Sequence, residues 1–107
     1  MYNFVKVPFT DELYWGDQPS LSQLNNLDLI GVKSVINMRD KSEKGYVEED
    51  QLMKEKNIEY AHIPVLEAHD IDSTYTKKVE ETIEKMQKPV LLHCQVGLCG
   101  SLFLKAN

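Results

Sequence analysis

Short apolar runs bounded by turn residues alternate along this chain with segments whose apolar positions recur at helical spacing. Residues 3–7 and 13–15 are brief apolar stretches separated by Pro8 and polar residues, the pattern of a hairpin at a sheet edge. After Pro19, Ser20 and Gln23 stand at capping-box spacing. Leu21, Leu24, Leu27 and Ile30 then follow at helical intervals, and Gly31 is placed to end the helix. Residues 33–38, with Val35 and Ile36, read as a buried strand. A charged loop is expected over 39–45 and a helix over 46–56, presenting Val47 and Leu52 or Met53, with Asn57 as its stop. Residues 58–63 read as a strand closed by Pro64. A loop over 65–72 leads to a helix through Met86, capped by Asp72 or Ser73, whose Tyr75, Val79, Ile83 and Met86 share one face. Pro89 introduces Val90-Leu91-Leu92-His93, an apolar run suited to a central parallel strand. A Gly-bearing loop and the start of a helix complete the chain.

This alternation predicts an α/β fold: a mostly parallel sheet of four to five strands with helices on both faces and right-handed crossovers. The 107 residues fit one domain spanning 1–107. In such sheets ligands bind beyond the carboxyl ends of the strands. Three polar segments fall there: Arg39, the loop holding Glu67, His69, Asp70 and Asp72, and the stretch from Cys94 to Ser101.

Composition narrows the function. Hydrophobic residues make up 42% and charged residues 27%, which suits a folded globular chain. The net charge of -5 argues against a sequence-independent nucleic-acid binder. No apolar run has the length of a membrane span, and the first residues lack the charged start and apolar core of a signal peptide, so no membrane partner and a cytoplasmic location are expected. The two cysteines, Cys94 and Cys99, have neither zinc spacing nor a second ligand pair. A strand-terminal cysteine taken alone reads as a small buried hydrophobe. His62 and His69 are isolated and read as structural or solvent-facing. The lysine-bearing segments 41–44 and 77–85 read as solvated faces. Of twelve basic residues eleven are lysine, and the one arginine, Arg39, reads as a structural partner of nearby acids with a possible share in anion binding.

His93-Cys94-Gln95-Val96-Gly97-Leu98-Cys99-Gly100-Ser101, placed after a buried strand, resembles the His-Cys-x-x-Gly-x-x-Arg-Ser/Thr signature of the cysteine-dependent phosphatase superfamily. Upstream, Tyr14-Trp15-Gly16-Asp17-Gln18-Pro19-Ser20, the stretch from Gly31 to Arg39, and His62-Ile63-Pro64-Val65 are similar to the small phosphatase-like domains of the beta-lactamase-hydrolase-like family and to atypical dual-specificity phosphatases. The resemblance covers most of the chain, from Tyr14 to Ser101. It implies a dual-specificity-phosphatase-like fold whose C-terminal helices are truncated here. It also implies a Cys94 thiolate as nucleophile and a phosphate cradle formed by Gln95, Val96, Gly97, Leu98, Cys99, Gly100 and Ser101. His93 would orient that loop, and an acid after Pro64 would protonate the leaving oxygen. Asp70 is preferred for that task over Glu67, because Asp72 suits a helix cap. No metal or cofactor is implied. The expected partner is a phosphorylated small molecule, a phosphoprotein or an inorganic anion.

The pattern is broken at one position. The signature arginine is Gly100 in one register and Cys99 in the other. Three roles stay open: a weak phosphatase, an inactive module that binds an anion or a protein, and thiol redox or sulfur-transfer chemistry of Cys94 and Cys99.

Overall fold

A computed structural model describes residues 4–6, 13–42, 44, 46–65 and 70–94. Five strands form one sheet in the order β1-β2-β5-β3-β4. Strand β1 (Phe4–Lys6) pairs antiparallel with β2 (Leu13–Asp17) and forms one edge of the sheet. The other three strands, β3 (Ser34–Asn37), β4 (Glu59–His62) and β5 (Val90–Cys94), run parallel to β2. The hairpin expected at an edge is therefore only half peripheral. Strand β2 is interior, with β5 on its other side.

Strand β5 lies between β2 and β3 and is buried at every position. That placement explains its composition, because a central strand covered on both faces has no polar side to present. Successive side chains then alternate between two cores. Val90, Leu92 and Cys94 join Ile36, Met38, Val65, Ile71, Val79 and Met86 on one face. Leu91 joins Leu24, Leu27, Val35, Met53 and Ile58 on the other.

The first of these cores is covered by α3 (Ser73–Lys85), whose Val79 is buried and whose Tyr75 and Ile83 pack against it. Asp72 caps this helix, its Oδ1 accepting the Tyr75 N–H at 2.9 Å. The opposite core is covered by α1 (Leu21–Asn25), a short 3-10 helix (Leu27–Ile30) and α2 (Asp50–Glu55). Ser20 and Gln23 form the expected capping box, and Gly31 ends the 3-10 helix with φ 84°, a left-handed conformation open to glycine without a Cβ penalty. Asn57, at φ 58°, stops α2 in the same region.

Helix α2 is shorter than the periodicity predicts. Residues 46–49 form no regular element, and the helix begins at Asp50. The lead-in is held by other contacts: Tyr46 lies against the His62 ring at 5.6 Å, Val47 packs on the second core, and Glu49 is wholly buried.

Candidate active site

Because β2, β5, β3 and β4 are parallel, their carboxyl ends share one rim. The segments leaving that rim are Gln18 after β2, Arg39 and Asp40 after β3, Ile63 to Val65 after β4, and the chain beyond Cys94 after β5. Backbone bonds keep the exits in register: Met38 N–H donates to the His93 carbonyl at 2.8 Å, and Val65 N–H donates to the Met38 carbonyl at 3.0 Å. Arg39 and Cys94, far apart in sequence, thus leave neighbouring strands at the same end, as the sequence predicts.

Cys94 is the last residue of β5 and is 1% exposed on the α3 side of the sheet. It is disulfide-bonded. Its Sγ lies 3.6 Å from the Gly16 carbonyl oxygen. A disulfide sulfur carries no proton, so that approach becomes a hydrogen bond only in the reduced thiol. Gln95, Val96, Gly97, Leu98, Cys99, Gly100 and Ser101 lie outside the described residues, as do Glu67 and His69.

At the rim lies a cavity of about 260 Å³ lined by Asp40, Pro64, Val65, Asp70 and Tyr75. Val65 and Tyr75 belong to the same core as Cys94, so the cavity opens on the cysteine's side of the sheet. Asp70 is exposed, whereas Asp72 is occupied in capping α3. Asp40 is held below the usual carboxylate range, chiefly by hydrogen bonds from the Ser42 hydroxyl and then from its N–H. Burial pushes the Tyr75 phenol well above its ordinary value, and its hydroxyl donates to the Ile63 carbonyl at 2.5 Å. Asp40 is thus biased toward its charged form, and Asp70 is the other carboxyl on the cavity wall.

On the opposite face the rim is braced by a continuous chain of polar contacts. His93 is fully buried, and its Nε2 lies 2.7 Å from Glu49 Oε1, a carboxylate that is also fully buried. Gln18 Nε2 donates to Glu49 Oε2 at 2.8 Å, and Gln18 Oε1 accepts from Arg39 Nη1 at 3.0 Å. Arg39 Nη2 donates to the Lys44 carbonyl at 2.8 Å. Its backbone is fixed as well, its N–H donating to Asn37 Oδ1 and its carbonyl accepting from His62 Nε2. Arg39 and His62 thus take part in the bracing of the rim, Arg39 through the Gln18 amide and the Lys44 carbonyl, where the sequence suggested nearby acids as its partners.

Glu49 and Gln18 carry no such signal in the sequence. Glu49 stands in the run Glu48-Glu49-Asp50, inside the segment expected to be helical, where no single acid is marked out. Only the fold brings it to His93, 44 residues away. Among the described residues, no group of three or more His, Cys, Asp or Glu side chains is placed to hold a metal ion. Nor is any helix among them long and apolar enough to cross a membrane.

No family model and no curated protein matches the sequence. Solved structures do match. A candidate phosphatase from Shewanella putrefaciens superposes with a TM-score of 0.80 at 20% identity, covering 96% of this chain and 66% of the other. A candidate phosphatase from Neisseria meningitidis gives 0.74 at 24% identity, covering 88% of this chain and 70% of that one. The core catalytic domain of the PP-IP phosphatase SIW14 from S. cerevisiae gives 0.68 at 22% identity, covering 88% of this chain and 56% of that one. The chain thus spans between about half and 70% of the length of these three structures. This chain therefore has the α/β fold of these phosphatase structures.

Proposed function

We propose that the chain is a cysteine-dependent phosphatase-like domain that hydrolyses a phosphate monoester weakly through Cys94. The observation that carries this reading is the position of Cys94, at the carboxyl end of the central parallel strand and on the same face as the cavity bearing Asp70. In the reduced protein the Cys94 thiolate attacks phosphorus, forming an S–P bond as the bond to the leaving oxygen breaks. Asp70, as the carboxylic acid, gives that oxygen its proton. Water then attacks the phosphocysteine, its proton passes to the Asp70 carboxylate, and inorganic phosphate leaves with the thiolate restored. The net reaction consumes one water and yields an alcohol and phosphate.

Glycine or cysteine at the arginine position leaves this chemistry without a bidentate guanidinium on the transferring phosphoryl group. The loss of such a donor slows a reaction by on the order of 10²–10³. Reduced protein incubated with para-nitrophenyl phosphate is expected to show slow turnover that Cys94→Ser abolishes. Equal signals from the two proteins would sink the enzyme reading. A melting-temperature rise with phosphate or tungstate in the absence of turnover would instead support an anion-binding module. The substrate is a phosphorylated small molecule or a phosphoprotein, without nucleic acid or membrane as partner.

A second reading rests on the disulfide at Cys94. Peroxide takes two electrons from the thiols of Cys94 and Cys99, giving a disulfide and two waters, and the nucleophile is silenced until a thiol reductant restores it. Thiol titration with mass analysis before and after mild peroxide tests this. Two unchanged free thiols after treatment would exclude it.

A further inference from the structure

The polar chain behind β5 has a direction. Arg39 can only donate, so the Gln18 atom facing it must be the amide oxygen, and the amide nitrogen must face Glu49. A carboxylate accepts at both ends, so Glu49 also accepts from His93, whose Nε2 must carry a proton. In the neutral imidazole the lone pair is then on Nδ1, a buried atom with no hydrogen-bond partner among the described residues. Side-chain alternation puts His93 and Cys94 on opposite faces of the sheet, so His93 reaches Cys94 through the backbone they share.

We propose that Glu49 is a positioning residue: held by Gln18 and Arg39, its buried carboxylate fixes the Nε2–H tautomer and orientation of His93 and so sets the reactivity of the Cys94 thiol. The proposal deepens the phosphatase reading by assigning the support of its nucleophile. A carboxylate at position 49 is required by parity. Every other member of the chain satisfies its neighbour only if both oxygens of residue 49 accept. With Glu49→Gln, one end of the new amide donates. Arg39 cannot change its polarity, so the amide nitrogen turns to His93, which must shift its proton to Nδ1 to accept.

The polarity can be restored elsewhere. In the double variant Gln18→Glu with Glu49→Gln, the new carboxylate at 18 accepts from Arg39 and from the amide nitrogen of residue 49, giving up only the 3.1 Å bond from Gln18 Nε2 to the Pro19 carbonyl. The amide oxygen of residue 49 then accepts from His93, and the Nε2–H tautomer returns. The volume of the pair is unchanged.

The test uses the full chain, reduced, at about pH 8, above the ordinary histidine range. Long-range proton–nitrogen correlation spectra read the His93 tautomer, and the rate of iodoacetamide labelling reads Cys94, located by mass analysis. Wild type is expected to show Nε2–H. Glu49→Gln is expected to show Nδ1–H and Cys94 labelling slower by about tenfold, the lower end of the effect that losing a carboxylate partner has at metal-ligating histidines. The double variant is expected to recover both. An unchanged tautomer in Glu49→Gln would overturn the proposal, and so would a changed tautomer with unchanged labelling. Should Glu49→Gln not fold, the double variant decides: Nε2–H with wild-type labelling supports the proposal, and Nδ1–H or slowed labelling overturns it. None of these readings requires phosphate turnover, so an inactive wild type would remove the phosphatase reading and leave this one standing or falling separately.

Discussion

At the scale of single residues, the two aspartates of the cavity sit in different surroundings. Asp40 accepts two hydrogen bonds from Ser42, which favour its charged form. A carboxyl whose folded pKa is depressed adds stability above its unfolded value, and that contribution is lost as pH falls through the folded value. Replacing Ser42 by Ala should therefore raise the Asp40 titration toward the ordinary 3.8, read by carbon NMR of the carboxyl, and narrow the acid side of the stability profile. No change in the titration would show that the Ser42 hydroxyl does not hold the charge. Asp70, which also lines the cavity, is exposed, and the cap of α3 is Asp72. Asp70→Asn should slow hydrolysis of an alkyl phosphate by on the order of 10²–10⁴, the usual yield of a positioned general acid. It should affect para-nitrophenyl phosphate far less, since that leaving group needs no proton. Equal effects on the two substrates would assign Asp70 another role.

At the scale of elements, what the sequence reveals is what is local. The Ser20–Gln23 capping box, the Asp72 cap, the left-handed stops at Gly31 and Asn57 and the apolar run of β5 each depend on residues a few positions apart. They are legible for that reason. Loss of the Asp72 cap should have a correspondingly local cost: Asp72→Ala is expected to destabilise the protein by about 1 kcal/mol in urea denaturation, by exposing the first turn of α3. A loss near zero would mean that burial of Val79 and its neighbours holds the helix without the cap. The late start of α2 is illegible for the converse reason. Residues 46–49 have helical composition, but Tyr46, Val47 and Glu49 are committed to His62, the second core and His93. Contacts across the sheet override the local preference.

At the scale of the whole molecule, the candidate site follows from topology. Parallel strands bring the ends of β2, β3, β4 and β5 to one rim, which is why the sequence could place Arg39, Asp70 and Cys94 at one end of the fold. It could not supply the brace behind that rim, because Gln18, Arg39, Glu49 and His93 come from four separate segments. The sole arginine belongs to this brace, with two of its nitrogens engaged by Gln18 and the Lys44 carbonyl. A guanidinium supplied at the signature position should then complete an otherwise preserved scaffold. Gly100→Arg, or Cys99→Arg in the alternative register, is expected to raise turnover by on the order of 10²–10³. No gain from either would show that the deficit lies beyond the missing donor.

The central claim is that Cys94 is a nucleophile toward phosphorus, and the covalent intermediate tests it most directly. Reduced protein and its Gly100→Arg variant are mixed with para-nitrophenyl phosphate, quenched in acid and digested for mass analysis. The account predicts a phosphorylated Cys94 peptide in both, more abundant in the arginine variant, and absent from Cys94→Ser and from oxidised protein. A Cys94 peptide free of phosphate in both reduced proteins would contradict it.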